Sequence, residues 1–539
     1  MRLRRVWAAG RRLWVLWLGL MWVWAGAARA LTPQEALTLA EGETADRIAV
    51  MGRLAASGDP RAEALIRAMA REAVMVRGEQ VLIVEGGAAI DAVTGAPASA
   101  DGATSAMVNN RLRGALERAL AGLDLLGDDA RRQREAALRL RDSLIAQPDA
   151  SVMPWIENAL ASQNVSRLDG RARRAVEEAR AALWLEGADA AQRVTAVQTL
   201  AHVGQDSVRA RLAQRQEQES DPAVKAALAQ ALAQVDRALI RAQVVGQLFT
   251  GVSLGSILLL AALGLAITYG LMGVINMAHG ELIMIGAYAT YVVQGLFRQY
   301  LPGAFEWYLL AALPVAFLAA ALVGAVMERG VIRWLYGRPL ETLLATWGLS
   351  LILMQGVRSV FGAQNVAVES PGWMSGGVVV MGDLTLPWNR IVIIGFALAV
   401  LVAVALLIGR TRLGLFVRGV TQNRPIAACM GVNTARVDTY AFALGSGIAG
   451  LAGVALSQVG NVGPDLGQSY IIDSFMVVVL GGVGQLAGTV YAALGLGLLN
   501  KFIEGWAGAV LAKIAVLVFI IVFIQKRPQG IFALKGRQA

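Results

Sequence analysis

Few residues of this 539-residue chain combine a reactive type with a telling position. The clearest group is Gly273-Val274-Ile275-Asn276-Met277-Ala278-His279-Gly280-Glu281, where an amide, an imidazole and a carboxylate interrupt a long apolar run. An amide donates and accepts hydrogen bonds, a neutral imidazole does the same through its two nitrogens, and an ionised carboxylate accepts. Such groups are costly at membrane depth and mark ligand pathways. The same residues also fit a cytoplasmic turn between two helices, with Glu281 placed where its charge meets the positive end of a helix dipole. Asp473 and Lys513 lie near the ends of apolar stretches, and a lysine there snorkels to the interface.

Other chemistries are excluded. His202 shares a helical stripe with Leu200 and Val203, has no nucleophile beside it, and reads as structural. One cysteine, Cys429, rules out an internal disulfide, and one cysteine with two histidines leaves no zinc set. No Gly-x-x-x-x-Gly-Lys-Ser/Thr phosphate loop is present; the glycine cluster Gly481, Gly482, Gly484 and Gly488 lacks the lysine. The chain is therefore expected to be no enzyme and to carry no cofactor or metal of its own. Asn164-Val165-Ser166 fits a glycosylation sequon, a pattern shared by many unmodified chains.

The elements that hold these residues follow from composition. With 56% hydrophobic and 16% charged residues, against about 25% charged in soluble domains, a purely soluble protein is excluded. Apolar stretches of about 20 residues, enough to cross a bilayer, run through 244–270, 275–297, 307–327, 342–360, 390–408 and 437–459, with a last one at 508–524. Between 470 and 505 the apolar pattern is broken by the four glycines. Basic residues cluster in three places: Arg329, Arg333 and Arg338; Arg410, Arg412, Arg418, Arg424 and Arg436; and Lys526, Arg527, Lys535 and Arg537. By the positive-inside rule all three face the cytoplasm, so the net charge of +10 records topology and calls for no nucleic-acid partner.

The N-terminus reads as an export signal over 1–30: arginines, the apolar run Leu13 to Ala25, then the small-residue site Ala28-Arg29-Ala30. An uncleaved anchor helix is the alternative, and either one exports the adjoining segment. Residues 31–242 are rich in Ala, Leu, Arg, Glu and Gln with helical apolar spacing, and Asp59-Pro60 and Asp221-Pro222 look like capped helix starts. The repeated starts suggest an exported HEAT-like solenoid, a fold that binds proteins on its concave face. Val81-Leu82-Ile83-Val84 reads as a strand or hairpin insert. The whole is expected to be all-α: signal 1–30, exported helical domain 31–242, membrane domain 243–526 and cytoplasmic tail 527–539. An exported start and an internal tail require an odd number of crossings. Seven or nine fit, and both make the 470–505 region a pair of helices packed through glycine.

The stretch Tyr269 to Glu281 resembles the signature of branched-chain amino-acid type ABC-transporter permeases, as does Val479-Leu480-Gly481-Gly482-Val483-Gly484. Residues 414–438, with Arg418, Asn423, Arg424, Ala427, Gly431 and Arg436, are similar to that family's cytoplasmic coupling loop. Pro425 stands where related loops often carry Glu, and Gln422 where many carry an acid, so docking there would rest on shape and the surrounding arginines. Within the family, Asn461 to Phe475, the Gln525-Lys526-Arg527-Pro528-Gln529-Gly530 ending and the long exported extension resemble urea permeases.

The resemblance implies a multi-pass subunit of a bacterial inner membrane, surrounded by lipid and importing urea. Its partners would be a second related permease, cytoplasmic ATP-binding subunits that use the ATP, and an exported solute-binding protein. Asn276, His279, Glu281, Tyr470 and Asp473 become the expected pathway residues. A branched-chain amino acid or short amide is the alternative cargo, and a membrane-anchored scaffold or receptor the alternative of another class.

Overall fold

The computed structural model describes residues 31–532 except 58, 87, 128, 162–167 and 383. The signal segment 1–30, the sequon at 164–166 and the last part of the tail lie outside the described residues. The chain divides between Leu239 and Ile240 into two compact units.

The first unit opens with three helices, α1 (Pro33–Glu41), α2 (Thr44–Ser57) and α3 (Pro60–Ala70). Five strands follow: β1 (Val74–Arg77), β2 (Gln80–Glu85), β3 (Ala88–Asp91), β4 (Pro97–Ala98) and β5 (Thr104–Ser105). They form one antiparallel sheet in the order β4-β3-β2-β1-β5. Val81 to Val84 thus sits within a five-stranded sheet, and the all-α expectation is corrected here. The cause is local: Val74-Met75-Val76 and Val81-Leu82-Ile83-Val84 are rich in β-branched residues, and Gly78, at φ 62°, makes the reversal between them.

Helices α4 (Asn110–Leu126), α5 (Ala130–Ala146), α6 (Met153–Leu160), α7 (Gly170–Trp184), α8 (Ala190–Leu200) and α9 (Asp206–Gln218) complete the unit with the first part of α10 (Pro222–Met272). Aspartates start them repeatedly: Asp59, Asp129, Asp169, Asp189 and Asp221 each accept a hydrogen bond from a first-turn amide. One face of every helix is buried in a shared core that includes Leu65, Leu112, Leu140, Val176, Val197 and Leu228. Beneath α10, the buried Glu219 accepts from Arg193 at 2.9 and 3.1 Å, Arg215 at 3.1 Å and the amides of Ser220 and Asp221 at 3.0 and 3.1 Å. Burial alone would raise the Glu219 pKa, but these five donors outweigh it and hold it at about 2.

The second unit contains the rest of α10 and α11 (His279–Tyr300), α12 (Tyr308–Gly330), α13 (Pro339–Phe361), the hairpin β6 (Gly377–Met381) and β7 (Leu384–Pro387), and α14 (Trp388–Arg410). Two short helices, α15 (Arg412–Gln422) and α16 (Arg424–Cys429), precede α17 (Thr434–Ser457), α18 (Leu466–Gly481), α19 (Leu486–Ala507) and α20 (Ala509–Lys526). Among the described residues, eight helices are long and apolar enough to cross a membrane: α10, α11, α12, α13, α14, α17, α19 and α20. Apolar α18, with 16 residues, is about 24 Å long at 1.5 Å per residue, short of a hydrocarbon core of roughly 30 Å.

The glycine-broken region is two helices, α18 and α19, turning through Gly482, at φ 97°, and Gly484, at φ 77°. Gly481 and Gly488 face each other backbone to backbone: a methyl group on Gly481 would lie 2.5 Å from the Gly488 carbonyl carbon and 2.7 Å from the Thr489 nitrogen. After α20 the chain doubles back onto this turn. The Ile531 amide donates to the Leu480 carbonyl at 2.8 Å, and the Phe532 ring stacks on Tyr491 with centroids 5.7 Å apart.

Candidate functional site

Helix α10 ends where Gly273 takes a positive φ of 65°, and α11 begins six residues later. Asn276 shapes the turn between them, its Oδ1 accepting from the Ala278 amide at 3.0 Å, while its buried Nδ2 has no partner. His279 is fully buried, with Nε2 2.9 Å from the Ala261 carbonyl of α10. A carbonyl accepts, so Nε2 carries the hydrogen and Nδ1, unpartnered, is left as an acceptor.

Glu281 is 1% exposed. Its Oε1 accepts from Ser350 Oγ of α13 at 2.8 Å, and its Oε2 has no partner. Seven residues on, on the same helical face, Tyr288 packs its ring 4.7 Å from that of Phe361 at the far end of α13 and keeps a buried, unpartnered hydroxyl. Asp465, at the start of α18, lies within electrostatic range of both Glu281 and Tyr288. Among the described residues no arginine, lysine or histidine forms an ion pair with Glu281 or Asp465. Unpaired buried polar atoms cost about 1–3 kcal/mol each, and Glu281 Oε2 and the Tyr288 hydroxyl are each left with capacity for a further hydrogen bond.

The sequence-predicted residues do not form one cluster. Asn276 and Glu281 belong to the region facing α13, whereas His279 points toward α10 and α17, its ring lying against Gly264. Tyr470 and Asp473 lie one turn apart on α18, half-buried; Asp473 is within range of Lys513 of α20, and Tyr470 of Arg390. Ser350, Tyr288 and Asp465 complete the stripe, and sequence reasoning missed all three as site residues. A signal existed: Thr342, Thr346 and Ser350 recur every four residues on an otherwise apolar helix, and all three are buried.

The loop 412–436 folds around its own small core of Val417, Val420, Ala427, Val437 and Ala441. Asn423 caps α16, its side chain accepting from the Ile426 amide at 3.1 Å, and Gly431 ends that turn at φ 82°. Arg418 and Arg436 are exposed, as are Gln422 and Pro425. Arg424 instead turns inward, pairing with buried Asp438 and lying 5.2 Å from the ring centre of Tyr336.

The family model described as "Branched-chain amino acid transport system / permease component" matches residues 247–525. The chain belongs to this permease family. The permease is 28% identical over 289 residues to the high-affinity branched-chain amino acid transport system permease protein BraD of Pseudomonas aeruginosa, covering 53% of this chain and 94% of that protein. It is 30% identical over 295 residues to LivH of Escherichia coli, with the same coverages. A probable LivH of Methanocaldococcus jannaschii is 25% identical over 298 residues, covering 51% of this chain and 88% of that protein. No solved structure matches the permease. Family and helices together make it a multi-pass inner-membrane protein and a transporter component rather than an enzyme.

Proposed function

We propose that this chain is one permease subunit of an ATP-driven importer of urea. Cytoplasmic ATP-binding subunits, an exported solute-binding protein and a second related permease complete the machine, and ATP is used by the partners. The observation that carries the choice of cargo is the Glu281 stripe, which offers acceptors and hydroxyls without a basic group. Urea is neutral and planar, with four N–H donors and one carbonyl. It can fill the unpartnered Oε2 of Glu281 and the Tyr288 hydroxyl, whereas an amino acid brings a carboxylate that has no cation to meet it there.

In this reading the loop 412–436 docks on the ATP-binding subunit through its exposed arginines. The exported helical unit, read as a HEAT-like stack, serves as a landing surface for the solute-binding protein. A branched-chain amino acid is the second reading, favoured by the names of the relatives. Uptake of labelled urea and labelled leucine by cells lacking this chain separates the two. Loss of urea uptake with leucine uptake intact is the expected result; the reverse pattern refutes urea.

A further inference from the structure

The second unit contains a polar group that the pathway does not use. Glu328, near the end of α12, has no exposed side-chain surface. Its carboxylate accepts from Arg333 Nε at 3.3 Å and Nη2 at 3.1 Å, from the Tyr336 hydroxyl at 3.0 Å and from Thr439 Oγ1 of α17 at 2.7 Å. Arg333 also donates to the Ala435 carbonyl at 3.2 Å, tying the same group to the first turn of α17. Tyr336, whose hydroxyl reaches Glu328, has its ring under Arg424 of α16, which pairs with Asp438 one residue before Thr439. The helix α16 is thus joined to Glu328 along two routes.

Glu328 is in turn joined to α13. Thr342 Oγ1 reaches the Leu335 carbonyl at 3.0 Å, immediately before Tyr336. One turn on, Thr346 accepts from the Met277 amide at 3.2 Å, and one turn further Ser350 donates to Glu281. Hydroxyls at every fourth residue therefore run along one face of α13 from the Glu328 group to the pathway stripe.

We propose that Glu328 is the centre of a polar latch that transmits movement of α16 through α13 to Glu281, making Glu328, Tyr336 and Thr346 positioning residues for transport. The proposal rests on the reading of loop 412–436 as the ATPase docking surface. Each of the four hydrogen bonds to this fully buried carboxylate is costly to lose where no water can replace it, so a shift that draws away the Tyr336 or Thr439 hydroxyl also strains the Arg333 pair. In the latch the group would pass between this arrangement and one with the hydroxyls withdrawn, the kind of two-state element that coupling between distant sites requires. Displacing α16 takes Arg424 from both Asp438 and the Tyr336 ring, and Tyr336 is two residues from the Arg338-Pro339 start of α13.

The test uses the chain's single cysteine, Cys429, exposed on α16, and a second one introduced by Gln468→Cys on α18, where the native side chain is exposed and lies 3.7 Å from Met354 of α13. Membrane vesicles holding the complete transporter are treated with a membrane-permeant maleimide with and without ATP, and labelling at each position is read by mass spectrometry. With the latch intact, ATP changes the labelling rate at both positions by about fivefold or more. Glu328→Gln keeps the response at Cys429 and abolishes it at position 468. If Glu328→Gln fails to accumulate in the membrane, Tyr336→Phe, which removes one hydroxyl and keeps the ring, is expected to lower the distal response while sparing Cys429. A distal response that survives in these variants, or is missing in the parent, overturns the latch. Absence of a response at Cys429 in the parent overturns the docking reading on which the latch rests. Neither readout needs a transported solute, so the cargo assignment is tested separately.

Discussion

Replacing Glu281 by glutamine tests the pathway stripe quantitatively. The substitution keeps size and shape, and the new amide oxygen can still accept the 2.8 Å hydrogen bond from Ser350. What changes is Oε2, the buried acceptor without a partner, which becomes an NH2 donor. A urea N–H that it received would lose a charge-assisted hydrogen bond worth about 1.5–3 kcal/mol, roughly a ten- to hundredfold rise in KM. An amino acid would lose more, because its ammonium would be stripped of a buried counter-charge at about 3–5 kcal/mol, a rise of some hundredfold to several thousandfold. The size of the effect therefore reports the cargo as well as the site. The assay is the initial rate of labelled urea and leucine uptake against concentration in cells whose only copy carries Glu281→Gln, with membrane amount measured by immunoblot. A KM within about twofold of the parent at normal abundance refutes the assignment of Glu281 to the pathway.

Three further outcomes are expected. Gly286→Ala would place a methyl group 2.5 Å from Gly450 Cα and 2.6 Å from its carbonyl carbon, so α11 and α17 must separate by about 1 Å at a cost of about 1–3 kcal/mol; the check is a lower Tm of the purified chain in detergent. Glu219 is held at about 2 rather than 4.5, so its stabilisation is fully present above about pH 4.5 and is lost as pH falls toward 2. Limited proteolysis of the first unit should accelerate across that window, and Glu219→Gln should destabilise it at neutral pH by about 3–5 kcal/mol while flattening the acid dependence. Tyr308→Phe removes the 2.6 Å bond to the Glu369 carbonyl and the acceptor for Gln458 at 3.2 Å, and should cost about 0.5–1.5 kcal/mol in thermal unfolding.

The membrane helices were legible because a long apolar run has few alternatives, and so was the α18–α19 pair, because glycines at that density let backbones meet. The Asp-initiated helices of the first unit were legible for the same kind of reason: the cap and the apolar stripe agree. The sheet at Val74–Ser105 was half legible. Its central strand shows in Val81 to Val84, but β4 and β5 have two residues each and exist through pairing with β3 and β1, which no local pattern announces. The site divides along the same line. Asn276 and Glu281 stand out as polar residues in an apolar run, whereas Ser350 and Tyr288 are ordinary residues whose meaning comes from the helix opposite. Arg333 was read as a topology charge and Glu328 drew no notice as a site residue; five residues apart in sequence, they meet Thr439 from more than a hundred residues away, and that partner turns a charge into a buried hub.

The doubling back of the chain onto the Gly482 turn bears on how the protein is made. The Leu480 carbonyl and the Tyr491 ring receive their partners from Ile531 and Phe532, roughly fifty residues later in synthesis. At ribosomal speeds of about 5–20 residues per second, that is an interval of some 3–10 seconds. During it the last helices are inserted while the turn between α18 and α19 has one side open. This corner therefore closes only after α20 has been made, and a chain cut just after α20 would hold α18 and α19 without the amide on Leu480 or the ring on Tyr491.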